Sequence, residues 1–149
     1  MPAKPNSFSG MTMEKTYIHK VQVYYEDTDH SGVVYHANYL KYFERAREHM
    51  LGVDSLVSLY RDQGVGFVVY QARLKYLKGA RFGDNLTIKS NVRQESAYRL
   101  VFKQNAHGLG DEILVKGEIE LACVNKEQKL VPIPQRVLAE LGASRPAVT

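Results

Sequence analysis

The sequence predicts an α+β domain in which one long helix is wrapped by a curved, five-stranded antiparallel sheet. Three observations predict it. From Tyr39 to Tyr60 the apolar residues recur every three or four positions, the spacing of one buried helical face. Ahead of it Tyr17 to Tyr25, and after it the runs between Phe67 and Cys123, alternate instead with a period near two. Short turns join the later runs, so they can pair as a meander with one apolar face in need of cover. Only one long striped helix is available to cover it.

Each element follows in order. Tyr17 to Tyr25, rich in Tyr, Val and Ile, reads as a strand that breaks at Asp27 to Gly32. The helical stripe then runs through Tyr39, Phe43, Ala46, Met50, Val53, Val57 and Tyr60. Gly52 ends the first helix, and Asp54 or Ser55 caps a shorter one reaching about Gln63. In Phe67 to Lys78 the even positions are mostly apolar and the odd ones polar, a half-buried strand. Gly83-Asp84-Asn85 and His107 to Gly110 punctuate further strands at Leu86 to Arg93, Tyr98 to Lys103 and Ile113 to Cys123. A short helix from about Gln135 to Leu141 follows Pro132 and Pro134. We therefore expect one domain over residues 17–141, with loose tails at 1–16 and 142–149.

Bulk properties narrow the function classes. The 149 residues carry 44% hydrophobic and 24% charged side chains, the composition of a globular chain with a real core. No apolar run approaches a membrane span, and MPAKPNSFSGMT lacks the apolar stretch of a secretory signal. Cys123 is the single cysteine, so no intrachain disulfide or thiolate zinc cluster forms, which suits the cytoplasm. A net charge of +4 favours anionic partners without choosing among them.

The chemistry concentrates in EDTDHSGVVYHANYLKYFERARE, residues 26–48. Asp27, Asp29, Ser31 and Gly32 match the start of a calcium loop, but its twelfth position is Asn38 rather than a bidentate Glu. Asp29, His30 and His36 have the residue types of a transition-metal site, without the spacing that completes a coordination set. The third reading places a carboxylate, Asp29, beside a helix starting between Tyr35 and Asn38. The first N–H groups of a helix lack partners and carry partial positive charge, so they stabilise a developing oxyanion. Against it stands the plainer reading, in which Asp27 and Asp29 only make Asx-turns and cap the helix.

The run Tyr24-Tyr25-Glu26-Asp27-Thr28-Asp29, then Gly32-Val33-Val34-Tyr35-His36, Asn38-Tyr39-Leu40 and Phe43-Glu44-Arg45-Ala46-Arg47, strongly resembles the hotdog-fold acyl-CoA thioesterases. Among these it is most similar to the bacterial group associated with the Tol-Pal operon, relatives of 4-hydroxybenzoyl-CoA thioesterase. The likeness extends from about Tyr17 to Pro134, with Tyr76-Leu77 and Gly83-Asp84 also matching.

The resemblance implies that Asp29 is the catalytic carboxylate, as nucleophile on the thioester carbonyl or as general base for water. It implies that the His36 N–H polarises the carbonyl and that Val34, Tyr35, Asn38 and Tyr39 line the substrate, while Asp27 orients the loop. His30-Ser31 stand where Ala-Gly is common in the group, beside the catalytic loop. A second branch of the fold carries its carboxylate on the central helix, which makes Glu44 the fallback. Arg73, Lys75, Lys78, Arg81, Lys89 and Arg93 are candidates for the phosphates of coenzyme A. The implied reaction is hydrolysis of acyl-CoA without metal or redox cofactor. Acyl carrier protein is a second possible donor, peripheral membrane association is compatible, and nucleic acid is not expected. Exposed sheet edges and the family pattern imply a homodimer or a dimer-of-dimers tetramer, with the cleft between subunits. The competing reading is a hotdog module that binds acyl thioesters or scaffolds envelope proteins without turnover.

Overall fold

The computed structural model describes residues 11–142, and of residues 11–14 the backbone only. Its strands are β1 (Met11–Gln22), β2 (Gly66–Tyr76), β3 (Asn85–Gln94), β4 (Arg99–His107) and β5 (Ile113–Val124). Its helices are α1 (Asn38–Leu51), α2 (Val53–Gln63) and α3 (Gln135–Gly142). All strand pairs are antiparallel, in the order β1-β3-β4-β5-β2. The α+β architecture read from the sequence, one long helix against a five-stranded sheet, is the architecture found.

α1 buries Tyr39, Tyr42, Phe43, Ala46 and Met50 against the sheet. Gly117 of β5 makes the closest approach possible. A Cβ there would lie 2.7 Å from the Phe43 ring and 3.0 Å from the Gln104 carbonyl, so only glycine lets the helix seat this deeply. Full burial of a ring such as Phe43 stabilises by about 1.5–3 kcal/mol. Beside it a guanidinium enters the core: Arg47 is buried, donating to Gln104 Oε1 at 2.9 Å and to Glu44 at 2.5 Å. The Gln104 amide donates in turn to the Phe43 carbonyl and to Ser90 Oγ. Burial holds the Arg47 guanidinium below its ordinary pKa, and Glu44 opposes the shift.

Four expectations need correction. The stripe does not continue past Gly52, whose φ of +90° ends α1 and turns the chain. That turn resets the phase, so α2 buries Leu59 and leaves Val53, Val57 and Tyr60 exposed. β2 is not half-buried: Val69 and Tyr70 are 51% and 63% exposed, because the strand lies at the sheet edge beyond the cover of α1. It also pairs with β5 rather than β3, with a bulge between Val69 and Gln71, so only β3, β4 and β5 form a meander. Residues 77–84 are too long for a tight hairpin and instead form a strap that carries the chain from one side of the sheet to the other. Finally, β1 begins at Met11, inside the expected tail, because 11–13 pair with 92–94 of β3. Residues 1–10 and 143–149 of the expected tails lie outside the described residues.

Candidate active site

After β1 the chain makes one 3-10 turn, Tyr25–Asp27, and then a tight loop over residues 28–34. The loop closes because the Asp29 N–H donates to the Val33 carbonyl at 2.8 Å and the Gly32 N–H to the Asp29 carbonyl at 2.9 Å. Gly32 takes φ +84°, which a side chain would resist. The Ser31 N–H donates to Asp29 Oδ1 at 2.8 Å, an Asx-turn that fixes the carboxylate. The other Asp29 oxygen has no hydrogen-bond partner among the described residues.

Asp27 is spent locally. Its Oδ2 accepts the Tyr24 N–H at 2.8 Å, and its carbonyl accepts both the Tyr35 N–H and Asn38 Nδ2 at 2.9 Å. These bonds tie the loop to the start of α1. The strap locks the other side. The Val34 N–H donates to the Ala80 carbonyl, Val33 bridges Arg81, and a Cβ on Gly79 would lie 2.8 Å from Val33. Only a glycine strap packs this close to the loop.

Loop, strap and helix end border an open cavity of about 310 Å³ whose wall includes Asp29, Val34, His36, Tyr39, Tyr76 and Lys78. α1 begins at Asn38 with no side-chain cap, and the His36 N–H just before it has no partner among the described residues. The residue with the free N–H, at the positive end of the helix dipole, and the residue with the unpaired carboxylate oxygen therefore line the same cavity. Of the residues expected at the substrate, Val34 and Tyr39 line the cavity and Tyr35 and Asn38 do not. Tyr35 instead packs on the His36 ring at 4.5 Å, and Asn38 is turned to Asp27.

Tyr76 was missed as a site residue, since in the sequence it is one more apolar position of β2. Its hydroxyl donates to the His36 carbonyl at 3.0 Å, and its ring meets His36 edge-on at 6.0 Å and Tyr39 at 5.9 Å. Burial pushes the Tyr39 hydroxyl up to about 12, so it stays neutral. Burial first, and the nearby Asp27 carboxylate second, push Tyr42 up as well. Neither tyrosine hydroxyl makes a hydrogen bond of ordinary geometry.

Glu44 faces a different cavity, further along α1. Among the phosphate candidates, Arg73, Lys89 and Arg93 are held in ion pairs with Glu118, Asp111 and Glu95. Lys78 lines the Asp29 cavity with a loose contact of 3.3 Å to Glu112. The Arg81 guanidinium lies against Gly32, 3.4 Å from where a Cβ would sit. Among the described residues no group of three or more His, Cys, Asp or Glu is placed to hold a metal ion, and no helix is long and apolar enough to cross a membrane.

Comparison with known proteins identifies the family. The family model of the thioesterase-like superfamily matches residues 23–141. The acyl-CoA thioester hydrolase YbgC of Escherichia coli O6:H1 is 37% identical over 123 residues, covering 80% of this chain and 91% of that one. The acyl-CoA thioesterase YbgC of Haemophilus influenzae is 36% identical over 122 residues, covering 80% and 89%. Among solved structures, a 1,4-dihydroxy-2-naphthoyl-CoA thioesterase from Synechocystis superposes with a TM-score of 0.80 at 25% identity, covering 86% of this chain and 96% of its own.

Proposed function

The chain belongs to the thioesterase-like superfamily as a thioester hydrolase, and from that premise we propose that it cleaves acyl-CoA with Asp29 as its catalytic carboxylate. One observation carries the assignment: Asp29, which keeps one oxygen free, and His36, whose N–H is unpaired, line one cavity beside the start of α1. A thioester carbonyl bound between them is polarised by the His36 N–H and the helix dipole. The Asp29 oxygen then has two courses. As general base it takes a proton from water while the water oxygen bonds to the carbonyl carbon; collapse of the tetrahedral adduct expels the thiolate, which takes up a proton. As nucleophile it bonds to the carbon itself, the thiolate leaves, and water hydrolyses the resulting anhydride. Neither course calls for a metal or redox cofactor.

Val34 and Tyr39 then flank the substrate directly, while Tyr35 and Asn38 act at one remove by holding His36 and the loop. The His36 imidazole adds a hydrogen bond, and Lys78 and Arg81 meet coenzyme A phosphates at the mouth. The working unit is a homodimer joined through the open β2 edge, paired again into a tetramer, and resident in the cytoplasm. Exposed Val69 and Tyr70 on an unpaired edge support that assembly. Acyl carrier protein thioesters are a second substrate class, favoured by the basic surface.

Release of free thiol from a panel of short, aromatic and long acyl-CoAs tests the proposal. Turnover of at least one substrate supports it. Binding without release, even at high enzyme concentration, replaces it with an acyl-thioester binding module.

A further inference from the structure

The sheet face turned away from α1 carries an open trough of about 660 Å³, whose wall includes Arg73, Lys75, Lys103, Asn105, Lys116 and Glu118. Alternation along the strands fixes its side. Gly117 packs on Phe43 of α1, so its neighbour Lys116 points the other way. Lys75 likewise stands on the face opposite to Tyr76, which lines the Asp29 cavity. The volume is that of a small-molecule site.

Four cations meet one carboxylate in this trough, and that carboxylate is taken. Arg73 grips Glu118, and Arg93 approaches it at 3.7 Å. Elsewhere on the same face Lys89 pairs with Asp111 at 2.8 Å and Arg99 with Glu120 at 2.9 Å. Lys75, Lys103 and Lys116 are exposed and have no carboxylate partner among the described residues. Two of them stand directly opposite one another, Lys75 on β2 and Lys116 on β5, where like charges destabilise a sheet. Asn105 continues that row on β4, and its Oδ1 is buried without a hydrogen-bond partner. A like-charged pair and an orphaned acceptor both cost stability in the free protein. An anion that also carries a hydroxyl removes both costs.

The register also sets a length. Lys75 and Lys116 are neighbours across one strand spacing, about 5 Å, and can close on a single phosphate. Lys103 lies diagonally from Lys116, at roughly 8 Å, with Asn105 beside both. That is room for a second phosphate.

We propose that this trough binds a small bisphosphate bearing hydroxyl groups: Lys75 and Lys116 hold one phosphate, Lys103 holds the other, and Asn105 Oδ1 accepts a hydroxyl. The site lies on the other face of the sheet from the Asp29 cavity, and the inference does not rest on the hydrolase reading. A second copy of the trough is a poor occupant, because two-fold contact sets cations against cations.

Isothermal titration of the intact protein with fructose 1,6-bisphosphate is the test. Saturable binding is expected, weakened about ten-fold or more by Lys103→Gln or Lys116→Gln, the scale of a charged hydrogen bond. Asn105→Leu weakens the bisphosphate but not pyrophosphate, which has no sugar hydroxyl to offer. Lys20→Gln, on the same face but outside the trough, changes nothing. Thermal melts separate binding from folding: Lys116→Gln raises the midpoint of the free protein by relieving repulsion, and abolishes the further rise that the bisphosphate gives wild type. No saturable binding at millimolar bisphosphate, equal binding by the lysine variants, or a lowered midpoint in Lys116→Gln overturns the proposal. Capture by phosphatidylglycerol vesicles or acyl carrier protein through these lysines, without bisphosphate binding, overturns it in favour of a docking face. Displacement of the bisphosphate by more tightly bound coenzyme A overturns it in favour of the substrate.

Discussion

The Tyr76 hydroxyl donates a 3.0 Å hydrogen bond to the His36 carbonyl, joining the end of β2 to the residue two before the start of α1. The peptide held there is the one next to the free His36 N–H, so the bond fixes the direction in which that N–H points. A donor aimed before the reaction begins needs no reorganisation during it. The sheet edge thus orients the candidate oxyanion donor.

Tyr76→Phe removes the hydroxyl and keeps the ring. A net hydrogen bond of about 1 kcal/mol predicts a loss of roughly five-fold in kcat, with KM for acyl-CoA little changed. Steady-state thiol release checks it, and a loss confined to KM would place Tyr76 in substrate binding instead.

Gly117→Ala tests the seating of α1. The new methyl meets the Phe43 ring at 2.7 Å and a backbone carbonyl at 3.0 Å, and the carbonyl cannot swing aside. Overpacking of this kind costs about 1–3 kcal/mol, read as a lower midpoint in urea unfolding at unchanged slope.

Much of this arrangement was legible in the sequence, for identifiable reasons. Phe43, Ala46 and Met50 repeat at helical spacing because one face of α1 packs on the sheet, and that face is buried as the period requires. The loop was legible because Asp29, Gly32 and His36 are local in the chain. The place of β2 was not. Its alternation speaks of two faces and says nothing of which neighbour it pairs with, or whether a helix covers it. Tyr76 and the strap reach the loop only through that long-range pairing, so no spacing rule could bring Tyr76 to His36. The second helix itself was legible, but not its buried face, for the opposite reason: Val53, Val57 and Tyr60 keep the period across Gly52, but the chain turns there.

Stability should depend on pH through His19. Burial above all, then His49, whose ring stacks on it at 5.0 Å, and Arg45 hold its pKa below the usual 6.5. A depressed histidine binds its proton more weakly folded than unfolded. Stability is therefore greatest above pH 6.5 and falls as the pH drops through 6.5 toward the folded pKa. Thermal melts between pH 8 and 5 read this directly, and His19→Gln should flatten the profile.

The central claim is that Asp29, and not its neighbour two residues before it, acts on the thioester. Asp27 is committed to the Tyr24 N–H, whereas Asp29 keeps one oxygen free at the cavity. The most direct measurement is kcat for Asp29→Asn and Asp27→Asn on one acyl-CoA, beside matched thermal melts. The account predicts a loss of about 10²-fold or more for Asp29→Asn at near-native stability, and a much smaller loss for Asp27→Asn. An active Asp29→Asn enzyme beside a dead but folded Asp27→Asn enzyme would contradict it.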